Sequence, residues 1–400
     1  MPTTSYWLEE AEHADPVPRR RFDGPVEVAV VGGGVTGCSC ALTLAERGVR
    51  VRLYEARRIA GGASGRNGGF ALRGAAVPYD VARYRLGHER ARLLMELTER
   101  SLDRMETLAG DTLRRAGSLR LAADEAERSA LRAEHDALRE DGFAVEWVDA
   151  LAPPLDSLYE GAILHPRDGA LSPARWVRRL AAQAAEAGAD VREGEQVRTL
   201  GELDADAVVV AGDGFTESLL PELAGLVRPT RGQVLATEPL AERRYPQPHY
   251  ARDGFDYWQQ LPDGRLVLGG CRDAALAAED TSVEETTDAV QDRLDQLLAR
   301  LLGARPRVDR RWAGIWGTTP DLVPLVGSVP GRGRVWVAGG YSGHGNVLGL
   351  ACGDLVARAL LGDEPPELEL FDLRRFDDPA RAGAQQRAGN PAVSAEARTR

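Results

Sequence analysis

The chain has 400 residues and a mass of 43.2 kDa, enough for two or three domains, and its 43% hydrophobic residues exclude a wholly disordered chain. The 61 acidic residues outnumber the 50 basic residues, which disfavours nucleic acid and anionic membranes as main partners. Every one of these basic residues is an arginine, so chemistry that needs a lysine Schiff base is excluded as well.

The first predicted elements are a strand, a glycine turn, a helix and a second strand. Residues 26–31 form an apolar run that predicts a buried strand, and residues 38–47 have helical spacing up to Gly48. The next strand ends at Glu55. This region is not read as a secretory signal, because three consecutive glycines would break the signal helix. Because no other stretch approaches membrane-spanning length, we expect a soluble cytoplasmic protein. The four cysteines show no metal-binding spacing, so no metal site is expected.

The rest of the chain alternates between helical and strand-forming segments. Residues 80–140 are rich in Arg, Glu, Ala and Leu at helical spacing, with almost no strand signal. The later predictions are a helix over residues 174–187, a buried strand from residue 208 into the turn at Ala211 and Gly212, antiparallel strands within 229–272, a helix over 283–302, a buried strand over 334–338 and a helix over 346–361.

The segment Gly32-Gly33-Gly34-Val35-Thr36-Gly37 has the pattern GxGxxG directly after a strand and at the start of a helix. Gly32 permits a tight turn, Gly34 lets the backbone approach a pyrophosphate, and Gly37 lets helix and strand pack closely. Glu55 stands at the end of the second strand, where a carboxylate accepts hydrogen bonds from an adenosine ribose. The pattern predicts a dinucleotide site but does not separate NAD from FAD.

Two further glycine-rich segments favour FAD. GGASGRNGGF at residues 61–70 would let backbone amides line the far half of a cofactor longer than NAD. GYSGHGNVL at residues 340–348 precedes a helix whose N-terminus would stabilise negative charge on a reduced flavin. Taken alone, the first segment also fits a flexible surface loop, and the second also fits the entry turn of an ordinary buried helix.

Four motifs in order resemble the D-amino-acid oxidase/glycine oxidase superfamily of flavoproteins: the GxGxxG segment, GGASGRNGGF, TPDLVPLVG at 319–327 and YSGHGNVLG at 341–349. Within it, SYW at 5–7, GASGRNGG at 62–69 and RGQVLATEPL at 231–240 are most similar to the gamma-glutamylputrescine oxidoreductase branch. The resemblance spans roughly residues 5–375. It implies an α/β plus α+β fold in which a Rossmann-like FAD-binding domain is interleaved with an antiparallel-sheet substrate domain.

The domain bounds follow from that resemblance. The FAD-binding domain is expected to take residues 25–79, 160–228 and 319–375. The substrate domain is expected to take residues 80–159, its helical part, and residues 229–318, its antiparallel sheet and helix. Residues 376–400 have few large apolar groups and predict a disordered tail.

The resemblance also assigns residues to the cofactor, which is expected to be FAD. Val197, in the predicted strand before Val208, would contact the adenine through its backbone. The residues expected to contact FAD are Gly32, Gly34, Val35, Thr36, Gly37, Glu55, Ala56, Arg57, Ala63, Ser64, Arg66, Asn67, Gly68, Gly69, Val197, Ala211, Gly212, Gly340, Gly345, Asn346, Val347 and Leu348. Relatives with covalent flavin carry a cysteine before the TPD motif or a histidine in the first glycine loop. Those positions correspond to Gly314 and Asn67 here, so non-covalent FAD is expected.

The implied activity is oxidation of the carbon–nitrogen bond of an amine or amino acid to an imine, with hydride transfer to flavin N5. Oxygen is the expected acceptor, giving hydrogen peroxide. A dehydrogenase that passes electrons to a carrier and a non-catalytic flavin module remain open alternatives. Oxygen-using relatives place a lysine near the flavin; because this chain has no lysine, fast oxygen use would need His344 or Arg66 to supply the charge, or the product iminium.

The residues expected in the substrate pocket are Tyr257, Trp258, Trp316, Tyr341 and His344. The candidate catalytic residues are His344, Tyr341, Tyr257 and Trp258. Because Tyr257 and Trp258 alternate on one strand, at most one of them can face the pocket. His344 is a candidate base for the amine, and a role in shaping the glycine turn is the alternative.

The anchor for an anionic part of the substrate stays open. Relatives of the putrescine branch often carry an arginine where this chain has Gln259. Arg310 or Arg311 could instead clamp a substrate carboxylate, or the two could be a solvated surface pair. Neither the identity of the amine nor the oligomeric state follows from the sequence.

Overall fold

A computed structural model describes residues 3–18 and 20–376. Its helices are α1 (Tyr6–Ala14), α2 (Val35–Glu46), α3 (Tyr79–Leu86), α4 (His88–Ala109), α5 (Glu125–Glu140), α6 (Pro173–Ala187), α7 (Leu276–Glu279), α8 (Asp288–Leu302) and α9 (Gly345–Leu360). Its strands are β1 (Val26–Val31), β2 (Val51–Glu55), β3 (Phe70–Ala71), β4 (Leu113–Arg114), β5 (Ser118–Leu121), β6 (Glu146–Val148), β7 (Ala162–His165), β8 (Gly169–Leu171), β9 (Asp190–Glu193), β10 (Ala205–Val210), β11 (Arg228–Thr237), β12 (His249–Ala251), β13 (Asp256–Gln260), β14 (Leu266–Gly270), β15 (Val308–Thr318), β16 (Leu325–Ser328) and β17 (Val335–Gly339). The tail predicted for residues 376–400 lies, beyond its first residue, outside the described residues.

A six-stranded sheet has the order β16-β17-β10-β1-β2-β9. β1 pairs in parallel with both β10 and β2, and its apolar side chains enter a separate hydrophobic cluster on each face. β16 pairs antiparallel with β17 at one edge. Because β1 is central, the glycine turn after it lies at the carboxyl edge of the parallel strands, where this class of sheet binds ligands.

Helices α2, α6 and α9 pack together in the cluster on one face of this sheet. The contact between α2 and α9 is close because α9 presents small residues. A Cβ on Gly353 would lie 2.3 Å from the carbonyl oxygen of Thr36, so the two backbones touch. This close packing fixes the start of α2 relative to α9.

An eight-stranded sheet has the order β15-β11-β14-β13-β12-β5-β7-β6. Its neighbours pair antiparallel, except that β12 and β5 run parallel. Leu294 and Leu298 of α8 pack against Trp258 and Leu268 in a second hydrophobic core. A short three-stranded sheet, β3-β8-β4, completes the strand pairing.

The predicted fold class is confirmed. The parallel strands come from residues 26–55, 190–210 and 335–339, and the antiparallel strands of the second sheet lie between these segments in sequence. Three local predictions need correction. The segment 80–140 contains β4 and β5, α1 was not predicted, and Val197 follows β9 in a segment without regular structure.

The sheet pairing bears on one predicted domain boundary. β7 lies after residue 160 but pairs with β5 and β6 in the eight-stranded sheet. We therefore propose that the second part of the FAD-binding domain begins after β7, and the other bounds stay predictions. Within the described part of the chain, no helix has the length and apolarity that crossing a bilayer requires.

Candidate active site

A cavity of about 940 Å³ lies at the carboxyl ends of β1, β2 and β10 and extends to the eight-stranded sheet. Its wall includes parts of all three glycine-rich segments that the sequence analysis singled out. The fold therefore brings together at one cavity motifs that are far apart in sequence.

The turn after β1 places backbone at the cavity. Gly32 has a φ of 117°, and a Cβ there would lie 2.4 Å from the carbonyl oxygen of Ala211, so only glycine fits. A Cβ on Gly37 would lie 1.9 Å from the carbonyl oxygen of Gly32, so α2 starts directly against the turn. The N-cap of α2 is Gly34, and its first turn has no acidic residue. The positive end of the helix dipole is thus left for a ligand.

Glu55 at the end of β2 is held in place by backbone amides. Its Oε2 accepts a hydrogen bond from Gly33 N at 2.8 Å, and its Oε1 accepts one from Arg57 N at 2.8 Å. Each carboxylate oxygen keeps capacity for a further donor. Since Glu55 lines the cavity, it presents an oriented acceptor there.

The second glycine-rich loop is fixed on three sides. Trp7 of α1 donates through Nε1 to Asn67 O at 2.8 Å, and Ser64 Oγ accepts from Val35 N at 3.1 Å. The side-chain amides of Asn67 and Asn346 exchange hydrogen bonds at 3.1 and 3.2 Å. These contacts join the loop to α1, to the start of α2 and to the start of α9.

Tyr341 and His344, which precede the first residue of α9, differ in their hydrogen bonding. The hydroxyl of Tyr341 is hydrogen-bonded to Thr36 Oγ1 at 2.8 Å, so it is occupied by α2 while its ring lines the cavity. His344 is the N-cap residue of α9, and its Nδ1 has no hydrogen-bond partner among the described residues. Burial lowers the pKa of His344 to about 4, so the imidazole is neutral near pH 7.

An aromatic wall separates the second glycine loop from the eight-stranded sheet. The ring of Phe70 lies 5.9 Å from that of Tyr257 and 6.5 Å from that of Tyr250, measured between centroids. Tyr257 lines the cavity, whereas Trp258 points to the opposite face of β13 and stacks on His249 at 5.2 Å. The structure thus places Trp258 in the second core, away from the cavity, because successive residues of a strand alternate faces.

Most of the predicted FAD contacts line the cavity. Those that do are Gly32, Gly34, Val35, Thr36, Glu55, Ala56, Arg57, Ala63, Ser64, Arg66, Asn67, Gly68, Val197, Ala211, Gly212, Gly345, Asn346 and Val347. Gly37, Gly69, Gly340 and Leu348 are not in the lining. Gly69 and Gly340 have positive φ values of 74° and 80° and shape the turns, while Leu348 is buried in the first core.

Neither of the two arginines considered as carboxylate anchors is available at the cavity. Arg310 pairs with Glu9 at 3.0 Å and Arg311 with Asp295 at 2.7 Å, and neither arginine lines the cavity. Gln259 is buried and donates to the carbonyl oxygen of the second glycine loop at residue 68, at 2.7 Å.

Arg66 lines the cavity, but its charge is engaged. Its Nη2 lies 3.0 Å from Glu284 Oε1, and its Nε donates to Gly61 O at 2.9 Å. Burial lowers its pKa, and the charge of Glu284 opposes that effect. Arg66 therefore ties the glycine loop to neighbouring segments and does not present a free positive charge.

Several lining residues were missed by the sequence analysis: Phe70, Arg73, Arg120, His165, Asp213, Tyr250 and Arg272. Arg272 lies over the rings of Phe255 and Trp316 at 4.9 and 5.9 Å, with no ion pair to any described residue. Arg120 had a sequence signal, because it alternates with two leucines in β5 as a strand residue does. Because residues 80–140 were predicted to be helical, β5 and the position of Arg120 on it were not predicted.

These residues fit FAD. A bulky residue cannot stand at Gly32 or Gly37, two helix N-termini without acidic residues meet the cavity, and Glu55 is oriented as a ribose acceptor. The unpartnered Nδ1 of His344 is a further polar group in the same wall. Backbone amides, helix dipoles and one carboxylate are the groups that a flavin adenine dinucleotide requires.

Comparison with known proteins agrees with this fit. Residues 27–359 match the family model described as "FAD dependent oxidoreductase" (DAO). The chain is 30% identical to gamma-glutamylputrescine oxidoreductase of Escherichia coli K12, over 90% of this chain and 89% of that protein. The crystal structure of glycine oxidase from Geobacillus kaustophilus superposes with a TM-score of 0.72 at 24% identity, over 88% and 97% of the two chains. L-proline dehydrogenase from P. horikoshii gives 0.74 at 21% identity, over 89% and 99%.

Proposed function

Because the chain belongs to the DAO family of FAD-dependent oxidoreductases and binds FAD, we propose that it oxidises the carbon–nitrogen bond of an amine or amino acid to an imine. Bound FAD supplies the hydride acceptor for this chemistry, and the imine then hydrolyses in water. The observation that carries the proposal is the single cavity in which the glycine loops and an aromatic wall face each other. The test is loss of FAD absorbance when amines or amino acids are added without oxygen.

The residues of this chain act on the substrate by position and by exclusion of water. The rings of Phe70, Tyr250 and Tyr257 contact one another at the cavity, and burial of an amine against such rings favours its uncharged form over the ammonium form. His344 is neutral near pH 7 and has an unpartnered ring nitrogen, so it can orient an amine by a hydrogen bond. A pKa of about 4 makes it a weak base, so we assign it positioning of the amine rather than removal of its proton.

Bound FAD is expected to be non-covalent. Gly314 has no side chain to attach, and the carboxamide of Asn67 is engaged at both ends, accepting from Gly69 N at 2.8 Å and donating to Ala63 O at 3.1 Å. Acid precipitation of the holoprotein should leave a colourless pellet and a yellow supernatant. A pellet that stays yellow after washing would contradict the assignment.

For the electron acceptor we propose a carrier as a second candidate beside oxygen. The two side chains expected to assist oxygen do not offer a positive charge, since His344 is neutral and Arg66 is paired with Glu284. A fixed positive charge stabilises superoxide as it develops, so oxygen reduction is slow unless another group, such as Arg272 in the cavity wall, supplies that charge.

Turnover should accordingly be faster with an artificial dye acceptor than with air-saturated buffer, by about tenfold or more. The measurement compares stopped-flow reoxidation of the reduced holoprotein by oxygen and by the dye. The reoxidation rate by oxygen should be unchanged in His344→Ala and Arg66→Ala variants. Equal reoxidation rates with oxygen and with the dye would favour an oxidase. A loss of oxygen reactivity in Arg272→Met would show that Arg272 supplies the positive charge that assists oxygen reduction.

We also propose a cytoplasmic location and a small-molecule substrate. All four cysteines are free and buried, which suits a reducing compartment. Burial raises the pKa of each thiol, so none is an activated nucleophile.

A further inference from the structure

An ion bridge connects three separate segments at the edge of the cavity. Glu284 lies between α7 and α8, Arg57 follows β2 of the six-stranded sheet, and Arg66 lies in the second glycine-rich loop. Oε1 of Glu284 lies 3.0 Å from Nη1 of Arg57 and 3.0 Å from Nη2 of Arg66. All three residues line the cavity. Neither the predicted FAD contacts nor the proposed reaction gives Glu284 a role.

The bridge runs from the surface of the protein inwards. The side chain of Arg57 is 44% exposed, that of Glu284 is 13% exposed and that of Arg66 is 7% exposed. An exposed ion pair alone contributes little to stability, but this carboxylate also neutralises a buried guanidinium. Opening the bridge would separate Arg66 from that carboxylate in a desolvated place, so the closed form is favoured.

The segment that carries Glu284 is anchored on both sides to the eight-stranded sheet. Before it, Arg231 donates through Nη1 to Val283 O at 3.2 Å. After it, Thr287 N donates to Gln233 Oε1 at 2.9 Å. Arg231 and Gln233 both lie on β11. The carboxylate of Glu284 is therefore held at the cavity edge from the side of this sheet.

The two arginines belong to segments that are expected to contact FAD. Arg57 N donates to the ribose acceptor, Glu55, at 2.8 Å. Arg66 lies in the same loop as Ser64, whose hydroxyl accepts from Val35 N at the start of α2. Glu284 thus ties both segments to the eight-stranded sheet across the edge of the cavity.

We propose that Glu284 is a positioning residue that retains FAD: its carboxylate bridges Arg57 and Arg66, and this bridge has to open before FAD enters or leaves. The proposal requires that FAD is bound, but not that the bound FAD oxidises an amine. A closure of this kind slows both uptake and release, because opening precedes each of them. A contact that only added affinity would slow release alone.

The test compares FAD release and uptake in the wild type and in Glu284→Gln, which keeps the length of the side chain and removes its charge. Release is followed by the recovery of FAD fluorescence after the holoprotein is diluted. Uptake is followed by the quenching of that fluorescence after FAD is mixed with the apoprotein. Asp295→Asn is the matched control, because Asp295 pairs with Arg311 at 2.7 Å and neither residue lines the cavity.

Both rates should rise about tenfold in Glu284→Gln and stay unchanged in Asp295→Asn. The FAD dissociation constant of Glu284→Gln should therefore change less than either rate. Potassium chloride should speed release from the wild type and from Asp295→Asn more than from Glu284→Gln, because salt screens the exposed part of the bridge. An unchanged release rate in Glu284→Gln would overturn the proposal, and so would faster release without faster uptake.

A second variant decides the matter if Glu284→Gln does not fold. Arg57→Gln removes the exposed end of the bridge and leaves Arg66 paired with Glu284. Release and uptake should both become faster in this variant, by less than in Glu284→Gln, and the effect of salt on release should shrink. Rates equal to those of the wild type in Arg57→Gln would contradict the bridge.

Discussion

Replacing Glu55 by alanine is expected to weaken FAD binding by about ten- to a hundredfold. Glu55 offers the ribose hydroxyls a charged acceptor, and hydrogen bonds to charged groups contribute about 1.5–3 kcal/mol. The carboxylate is already oriented by Gly33 N and Arg57 N, both at 2.8 Å, so little ordering opposes the contact. The measurement is a titration of the apoprotein with FAD, in which the quenching of flavin fluorescence reports binding.

Glu193 provides the matched control for this variant. It is the register partner of Glu55 on the neighbouring strand β9, and it likewise accepts a backbone hydrogen bond, from Ile59 N at 2.7 Å. It does not line the cavity. Glu193→Ala should therefore cost some stability but leave the FAD dissociation constant unchanged. An unchanged dissociation constant in Glu55→Ala would remove the ribose assignment at this strand end.

Gly37→Ala is expected to yield a protein that is less stable and holds little FAD. In an ordinary helix position alanine would be favoured over glycine by about 1 kcal/mol. Here its Cβ would lie 1.9 Å from Gly32 O, a backbone atom that cannot turn aside. Either α2 moves away from β1 or the turn distorts, and overpacking of this kind costs about 1–3 kcal/mol or more.

The loss of FAD follows from the same displacement of α2, because the pyrophosphate is expected to bind at the start of this helix. Urea unfolding and the FAD content of the purified protein measure the two effects. Gly201→Ala is the control, because Gly201 has nothing within 4 Å of the added Cβ. A Gly37→Ala protein with full FAD content and an unchanged unfolding midpoint would show that the close approach of helix and strand is not required.

The glycine-rich segments could be predicted from the sequence because their constraints are local. At Gly32 the backbone takes a positive φ, and at Gly37 a neighbouring carbonyl leaves no room for a Cβ. Such demands mark the sequence within a few residues of the place where they act. That the three segments meet at one cavity followed only from the family resemblance, since no local pattern brings residues 32 and 345 together.

The pairing of strands limited what could be predicted for the substrate side. Alternation along β13 required Tyr257 and Trp258 to face opposite sides, but which of them faces the cavity depends on the packing of α8 against the sheet. Arg120 and His165 become neighbours only because β12, β5 and β7 are adjacent in the sheet. Contacts of that kind depend on which strands pair across the sheet. The four residues of β5, with Arg120 among them, do not indicate which strands will be their neighbours.

The search for an arginine that could bind an anionic part of the substrate was limited in the same way, because the sequence does not show which arginines reach the cavity. Arg310 and Arg311 were reasonable candidates by residue type, yet both are used in ion pairs away from the cavity. The arginine that stands unpaired in the wall, as far as the described residues extend, is Arg272. Residue type alone does not distinguish these arginines, because which of them reaches the cavity depends on the fold.

The most direct test of the account is anaerobic addition of amines to the holoprotein while the visible absorbance of FAD is recorded. At least one amine or amino acid is expected to remove this absorbance at one substrate per FAD and to yield a carbonyl product on hydrolysis. If dithionite reduces the bound FAD but no amine or amino acid does, the assignment of this cavity to carbon–nitrogen oxidation is contradicted.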